Sequence, residues 1–216
     1  MCSLDDLKFE KATAEDEKEI TELLMKNFKP PMGVALNMEH EDMICLCPSS
    51  VRRCLSCPLS MVVRNAEGKI IAVQLVTIHN RQDEQEEHDR NEAALTEKAV
   101  KIVKFMTHME GDLWQLVPLD VNCLMRFNIT FVMPEYQRHG IARRLSSMRL
   151  DAAKQLGCQG ITTTSISIKS QKLRLSEGFE VVKEVKYKDW LDENGKVIFD
   201  IKDDETDRSI LTFKRL

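Results

Sequence analysis

The chain has 216 residues, 43% hydrophobic and 31% charged, a composition that supports a folded core and excludes disordered and membrane-spanning classes. Its 31 basic and 35 acidic side chains leave a formal net charge of −4, so no overall field draws it toward nucleic acid. No apolar run approaches the ~20 residues that span a bilayer, the first residues lack the pattern of a signal peptide, and seven cysteines suit reduced thiols; the expectation is a cytoplasmic protein without a membrane partner.

Residues 7–12 alternate apolar and polar side chains, which predicts a strand. Thr13 is a good N-cap and acids at 15–17 suit a helix start, so a helix follows, with Ile20, Leu23, Leu24 and Phe28 on one face. Pro30, Pro31 and Gly33 stop it. Ser60 to Asn65 and Lys69 to His79 flank a glycine-containing turn and read as an antiparallel hairpin. Residues 80–91 are almost devoid of apolar side chains and predict a solvated loop, acidic over 83–92.

Glu92 to Glu110 carries Leu95, Ala99, Ile102, Val103 and Met106 at helical spacing and ends before Gly111. Cys123 to Val132 then reads as a long strand, Tyr136 to Leu156 as helix, and Gly160 to Ile166 as a β-branched strand. Ser167 to Ser176 predicts a short helix, Phe179 to Lys186 a strand, and Ser209 to Lys214 a last strand. No repeat interrupts this alternation, so one α/β domain over residues 5–216 is the economical expectation, and nothing in the sequence sets an oligomeric state.

The stretch from Phe131 to Leu145 joins a strand to a helix. Backbone N–H groups at a helix start lack intrahelical partners, and a turn that exposes them makes a site suited to a pyrophosphate. Gly140 permits close backbone approach and Ala142 keeps the next turn unobstructed, while Arg138, Arg143 and Arg144 add positive charge. By local spacing alone the same residues also fit a helix that begins on a basic surface.

The context downstream carries a resemblance. Gln137-Arg138-His139-Gly140-Ile141-Ala142 resembles the acetyl-CoA loop of the GNAT superfamily of N-acetyltransferases, and the expected helix, strand, helix and Gly178-Phe179 turn follow in order. Ser167-Ile168-Lys169-Ser170-Gln171-Lys172-Leu173 looks most like the invertebrate arylalkylamine N-acetyltransferases. The resemblance implies a GNAT-type mixed, mostly antiparallel sheet flanked by helices and splayed after the fourth strand, with a CoA-binding core over residues 123–186. It further implies acetyl-CoA as co-substrate, pantetheine pairing along Phe131 and Val132, and a pyrophosphate contact from residues 137–143, His139 and Ile141 included, with Lys172 as a further contact.

It also implies roles at the reacting centre. Ser170 matches the serine placed near the CoA sulfur, where a hydroxyl donates to the departing thiolate; its plain alternative is a helix-start serine, and Ser167 reads as the N-cap. The arylalkylamine enzymes usually carry Glu-Pro-Leu after the first helix, with that glutamate as base, whereas this chain has Pro30-Pro31-Met32. Glu39, His40 and Glu41 are the nearest replacements in sequence, direct attack by a neutral amine is another possibility, and an inactive acetyl-CoA-binding module is a third. The acceptor expected is a small primary amine, an arylalkylamine first and a polyamine or protein amine as alternative. Phe28 and Met32 are the expected acceptor contacts, with Trp114, Leu36 and Met38 as further apolar candidates.

Cys45, Cys47, Cys54 and Cys57 lie within thirteen residues, but one pair is Cys-x-Cys and both run into prolines. That spacing suits thiols near a helix better than a tetrahedral zinc knuckle, and no metal is expected. His79, His88 and His108 show no ligand spacing.

Overall fold

The computed structural model of the protein describes residues 4–83, 95–203 and 205–216. Seven strands form one sheet: β1 (Lys8–Lys11), β2 (Met61–Arg64), β3 (Ile70–Asn80), β4 (Cys123–Val132), β5 (Gly160–Ser165), β6 (Glu180–Lys186) and β7 (Arg208–Arg215). Their spatial order is β1-β2-β3-β4-β5-β7-β6, and every adjacent pair is antiparallel except β4 and β5. The mixed, mostly antiparallel sheet expected from the sequence is therefore the one found.

Period-two alternation sorts the side chains of the central strands onto two faces. Val62, Val73 and Phe131 pack with Ile20, Leu24, Val51 and Cys54 from α1 (Glu17–Asn27) and α3 (His40–Leu55). Their neighbours Met61, Val63, Ala72 and Val132 face the other way, against Ile141 and Leu145 of α6 (Ile141–Ser147). The first face also carries α2 (Pro31–Ala35), α4 (Glu97–Glu110) and α5 (Leu113–Leu116), which meet β7 through Met32, Phe105, Trp114 and Phe213. On the second face α7 (Leu150–Gln155) adds Ala153 beneath Met125, Phe127 and Phe179.

Two helical expectations need correction. Pro30 and Pro31 end α1 as expected, yet Pro31 also begins α2, because the first helical position needs no N–H donor and Gly33 is tolerated inside that short turn. Glu39 is the N-cap of α3, which carries Cys45, Cys47 and Cys54 and holds Pro48 inside it. The helix expected over Tyr136 to Leu156 is broken: residues 134–136 form a 3-10 turn, α6 starts only at Ile141, and Arg149 at φ 63 separates α6 from α7. The predicted solvated loop and the first turn of the helix read from Glu92 lie mostly outside the described residues; the described part of that helix is α4, capped by Thr96, whose side chain accepts from Ala99 N at 3.2 Å.

One irregularity shapes the centre of the molecule. The β4–β5 pairing comprises Leu124–Gly160, Met125–Ile161 and Arg126–Thr162, after which β4 runs on to Val132 with a strand partner only on its β3 side. Thr163 Oγ1 donates to Phe127 O at 2.9 Å, the last link across before the strands part. On the β3 side the register shifts between Leu75, opposite Ile129, and Val76, opposite Phe127, so Asn128 is an extra residue in β4. A bulge of this kind bends its strand and increases its twist. Asn128 is held there by donating to Thr77 Oγ1 at 2.7 Å, and Thr77 in turn meets His79 Nε2 at 2.7 Å.

Candidate active site

The parting of β4 from β5 opens a cleft of about 530 Å³. Thr130, Phe131 and Val132 form its floor, the loop and first turn of α6 from Tyr136 to Arg143 one rim, and Ser167, Lys169, Ser170, Leu173 and Arg174 the opposite wall on α8 (Ile168–Ser176). A β4 edge with unpaired backbone groups at the floor of a cleft can pair with an extended amide-bearing ligand.

The rim is built by backbone conformation. Arg138 at φ 66 and Gly140 at φ 80 both take the left-handed region, which folds the chain back and brings residues 138–143 to the start of α6. A side chain at Gly140 would meet nothing closer than Leu4 Cδ1 at 3.9 Å, so glycine is favoured there by φ and not by crowding within the protein. Gln137 is turned inward, its Nε2 donating to Val132 O at 3.0 Å, which fixes the loop to the end of β4. Arg143 Nη2 donates to Ser176 Oγ at 2.9 Å and so spans the cleft to α8. His139 is exposed, its Nδ1 near Tyr136 O at 3.3 Å, and it does not line the cleft.

Ser167 is the N-cap of α8, as its position in the sequence suggested. Ser170 lines the cleft, and its hydroxyl donates to Ser167 O at 2.8 Å while lying 3.1 Å from Ser167 Oγ. Lys172 lies on the exposed side of α8 with Nζ on Glu205 Oε2 at 3.0 Å; Lys169 is the lysine that lines the cleft. Sequence reasoning missed Arg174, which is 3% exposed. Its guanidinium donates to Ser146, to Glu177 Oε2 at 2.7 Å and to Thr130 Oγ1 at 3.1 Å, and stacks on Phe127 at 4.9 Å. Burial pulls this guanidinium below its ordinary pKa, opposed by the Glu177 charge. A charged residue next to Leu173 and Leu175 carries no sequence signal of burial; only the paired Glu177 at i+3 hints at it.

A second cavity, about 200 Å³, lies on the other face of the sheet against the adjoining stretch of β4. Phe28, Pro30, Met32 and Met38 close one side, Met43, Leu46 and Cys47 of α3 another, and Ile102, Val103 and Met106 of α4 a third. Asn128 and Ile129 form the part nearest the cleft, and Phe28 meets Phe131 edge-on at 6.1 Å between ring centroids, so this aromatic pair stands between the two spaces. Phe28, Met32 and Met38 are thus brought together as the sequence suggested. Trp114 is not; it is buried in the α4–α5 cluster under the Arg81 guanidinium at 4.9 Å. Leu36 packs on that cluster as well.

The polar lining of this cavity comes from residues the sequence did not single out. Glu110, at the end of α4, forms an ion pair with Arg126 of β4 and accepts from Thr164 Oγ1 at 2.8 Å. Arg53 of α3 adds a second guanidinium, and Glu110 is the one carboxylate among the described lining residues. Glu39, His40 and Glu41 are absent from the lining; Glu39 instead caps α3, its N–H donating to Asp42 Oδ2 at 2.8 Å. Burial pushes the thiols of Cys47 and Cys54 up to about 11, so both remain protonated at neutral pH.

Neither a protein-family model nor a curated protein sequence matches the chain. Solved structures do. A mosquito arylalkylamine N-acetyltransferase like 5b superposes with a TM-score of 0.79 at 21% identity over 97% of this chain and 100% of that one. Arylalkylamine N-acetyltransferase 2 from Aedes aegypti gives 0.77 at 22% identity, over 97% and 99% of the two chains. The Drosophila melanogaster polyamine N-acetyltransferase, an enzyme that catalyses the formation of N-acetylagmatine, gives 0.82 at 15% identity, over 98% and 100%. The likeness extends along nearly the whole chain, and the fold is the GNAT fold.

Proposed function

We propose that this chain, which carries the GNAT fold, is an N-acetyltransferase that moves the acetyl group of acetyl-CoA to a small primary amine. The observation that carries the reading is the pair of cavities on opposite faces of one splayed strand, separated by the Phe28–Phe131 contact. Such a molecule brings two substrates to one point from two sides, which is what direct transfer between them needs.

The cleft fits acetyl-CoA in its parts. The free edge of Thr130 to Val132 can pair with the pantetheine amides, and the N–H groups at the start of α6 with Arg138 and Arg143 face the expected pyrophosphate. Phe131 and Val132 thereby act through backbone, Gly140, Ile141 and Ala142 through the N–H groups at the start of α6, and Gln137 by holding the loop to β4. Ser170, on the α8 wall, supplies the hydroxyl for the departing thiolate once it turns from Ser167 O.

The second cavity favours an arylalkylamine over a polyamine. Its wall is made of methionine, phenylalanine and branched aliphatic side chains, which suit an aromatic or alkyl body. Its three charged residues are two arginines and one glutamate, a balance that disfavours an acceptor with several positive charges.

Pro30 supports one competing reading, an acetyl-CoA-binding module without catalysis, because it lines this cavity and brings no carboxylate. Thiol release from acetyl-CoA across a panel of arylalkylamines, polyamines and a peptide N-terminus separates the two. Release with a phenylethylamine, faster than with spermidine, is the expected result. Binding of acetyl-CoA with no release for any amine would establish the module instead.

A further inference from the structure

We infer that Glu110 is the group that receives the acceptor's ammonium and takes its proton during transfer, replacing from α4 the carboxylate that Pro30 does not provide. The inference rests on the acetyltransferase reading and deepens it. Three observations carry it. Glu110 is the one carboxylate among the described residues lining the acceptor cavity, whose β4 wall continues from Asn128 and Ile129 directly into the cleft floor at Thr130. Its side chain is 15% exposed, enough to be reached from the cavity and shielded enough for its charge to matter. Its two oxygens are held by Arg126 and by the Thr164 hydroxyl at 2.8 Å, on the two strands that part to form the site.

Each carboxylate oxygen has two lone pairs, so one bond from Arg126 and one from Thr164 leave capacity for an ammonium N–H. Arg126 on one oxygen and the Thr164 hydroxyl on the other fix the carboxylate's orientation, as a positioned proton acceptor requires. The other titratable groups around the site do not fit the task. The Cys47 and Cys54 thiols are protonated at neutral pH, Arg53 and Arg126 are cations, and Lys183 of β6 is held by Asp112 at 2.9 Å beyond the end of α4. No histidine is among the described residues lining either cavity.

The acceptor enters as R–NH3⁺ and gives one proton to a Glu110 oxygen. The freed lone pair forms the N–C bond at the thioester carbonyl, the C–S electron pair leaves with sulfur, and a second N–H proton passes to the thiolate. The products are the amide and free CoA thiol, and Glu110 returns its proton to water.

The test uses the full chain and two amines of one shape, phenylethylamine and its β,β-difluoro analogue, which is a much weaker base. With Glu110 as acceptor, the acid limb of kcat/KM in the wild type falls at the same pH for both amines. Glu110→Gln lowers kcat/KM for phenylethylamine by ~10²- to 10⁴-fold and for the difluoro amine far less, while acetyl-CoA affinity is kept. A wild-type limb that tracks each amine's own basicity overturns the inference without any variant, and so does Glu110→Gln at wild-type rates. If the wild type acetylates no amine, the acetyltransferase reading itself has failed; acetylation with a limb that tracks the amine rejects only the role of Glu110.

Discussion

Arg174 Nη2 donates to Thr130 Oγ1 at 3.1 Å, tying α8 to β4 at the place where β4 has lost its β5 neighbour. The same guanidinium neutralises Glu177, whose side chain is 9% exposed and whose Oε1 has no hydrogen-bond partner among the described residues. Both walls of the cleft are therefore held by one buried ion pair. Arg174→Met removes one member and leaves a buried carboxylate uncompensated, which destabilises by about 3–5 kcal/mol in chemical denaturation. Replacing both as Arg174→Met with Glu177→Gln recovers most of that loss, because the desolvated charge goes too. Equal destabilisation in the single and double variants would show that the pair contributes little and that the aromatic stacking on Phe127 and Phe179 dominates.

Gly140 gives a two-part expectation. Its φ of 80 lies where a Cβ is unfavourable, so Gly140→Ala costs about 1–2 kcal/mol in stability although no neighbour crowds the site. The added methyl group also stands where the ligand would approach the backbone, so acetyl-CoA affinity falls by more than the stability change explains. Calorimetric titration below the melting range separates the two effects. Unchanged affinity would remove the 137–143 loop from the site.

The segments legible in the sequence were those where local pattern and tertiary role agree. Residues 123–132 read as a long strand and form β4 over the same bounds, and Ser167 caps α8 where its hydroxyl can reach Ser170 N. The bulge at Asn128 was not legible, since an extra residue in one strand is defined only against the register of its partner, here Leu75 and Val76. For the same reason the helix expected from Tyr136 failed: helical spacing of Ile141 and Leu145 continues backwards on paper, but the left-handed Arg138 and Gly140 interrupt it. Glu110 at the end of a helix and Arg126 inside a strand carry no sign of a shared site in the sequence, and acquire meaning only because α4 and β4 line one cavity.

Asp42 predicts how the acceptor side responds to acid. Thr96 Oγ1 donates to it at 2.6 Å, Glu39 N at 2.8 Å, and Lys98 lies 3.6 Å away, so α3 and α4 begin on one carboxylate. These partners, the Thr96 hydroxyl first, lower its pKa below the ordinary 3.8. A lowered native value means that its stabilisation is fully present above the unfolded-state pKa and is lost as pH falls through the native one. Asp42→Ala therefore destabilises by about 1–3 kcal/mol at pH 7, and the gap to wild type narrows below the unfolded-state pKa. A gap that is constant down to the acid transition would mean that the charge is not what joins the two helices.

Ser170 has two candidate roles, and the measurements divide them. As a member of the α8 cap it contributes about 1 kcal/mol of stability, which Ser170→Ala removes whatever else happens. As donor to the departing thiolate it acts only while charge develops on sulfur, so the same variant lowers kcat by ~10- to 1000-fold and leaves acetyl-CoA affinity nearly intact. A thermal shift with unchanged kcat would confine Ser170 to the cap.

The last expectation joins Pro30 to Glu110, which line one cavity. If the acceptor's proton must reach a carboxylate and its origin in the chain is immaterial, a carboxylate restored at position 30 compensates for one removed at 110. Pro30 is the N-cap of α2 at φ −65 and ψ 146, an extended conformation open to glutamate. Losing the ring frees the unfolded chain, a destabilisation of about 0.4–1 kcal/mol that the fold can absorb. In the Glu110→Gln background, Pro30→Glu is expected to recover at least ~10-fold in kcat/KM for phenylethylamine and little for its difluoro analogue, since the weaker base needs less help in losing its proton. In the wild-type background the same substitution adds little, because a second acceptor for one proton is redundant. Equal recovery for both amines would point instead to reshaping of the apolar wall around Phe28 and Met32, and no recovery for either would mean that position 30 does not reach the acceptor nitrogen.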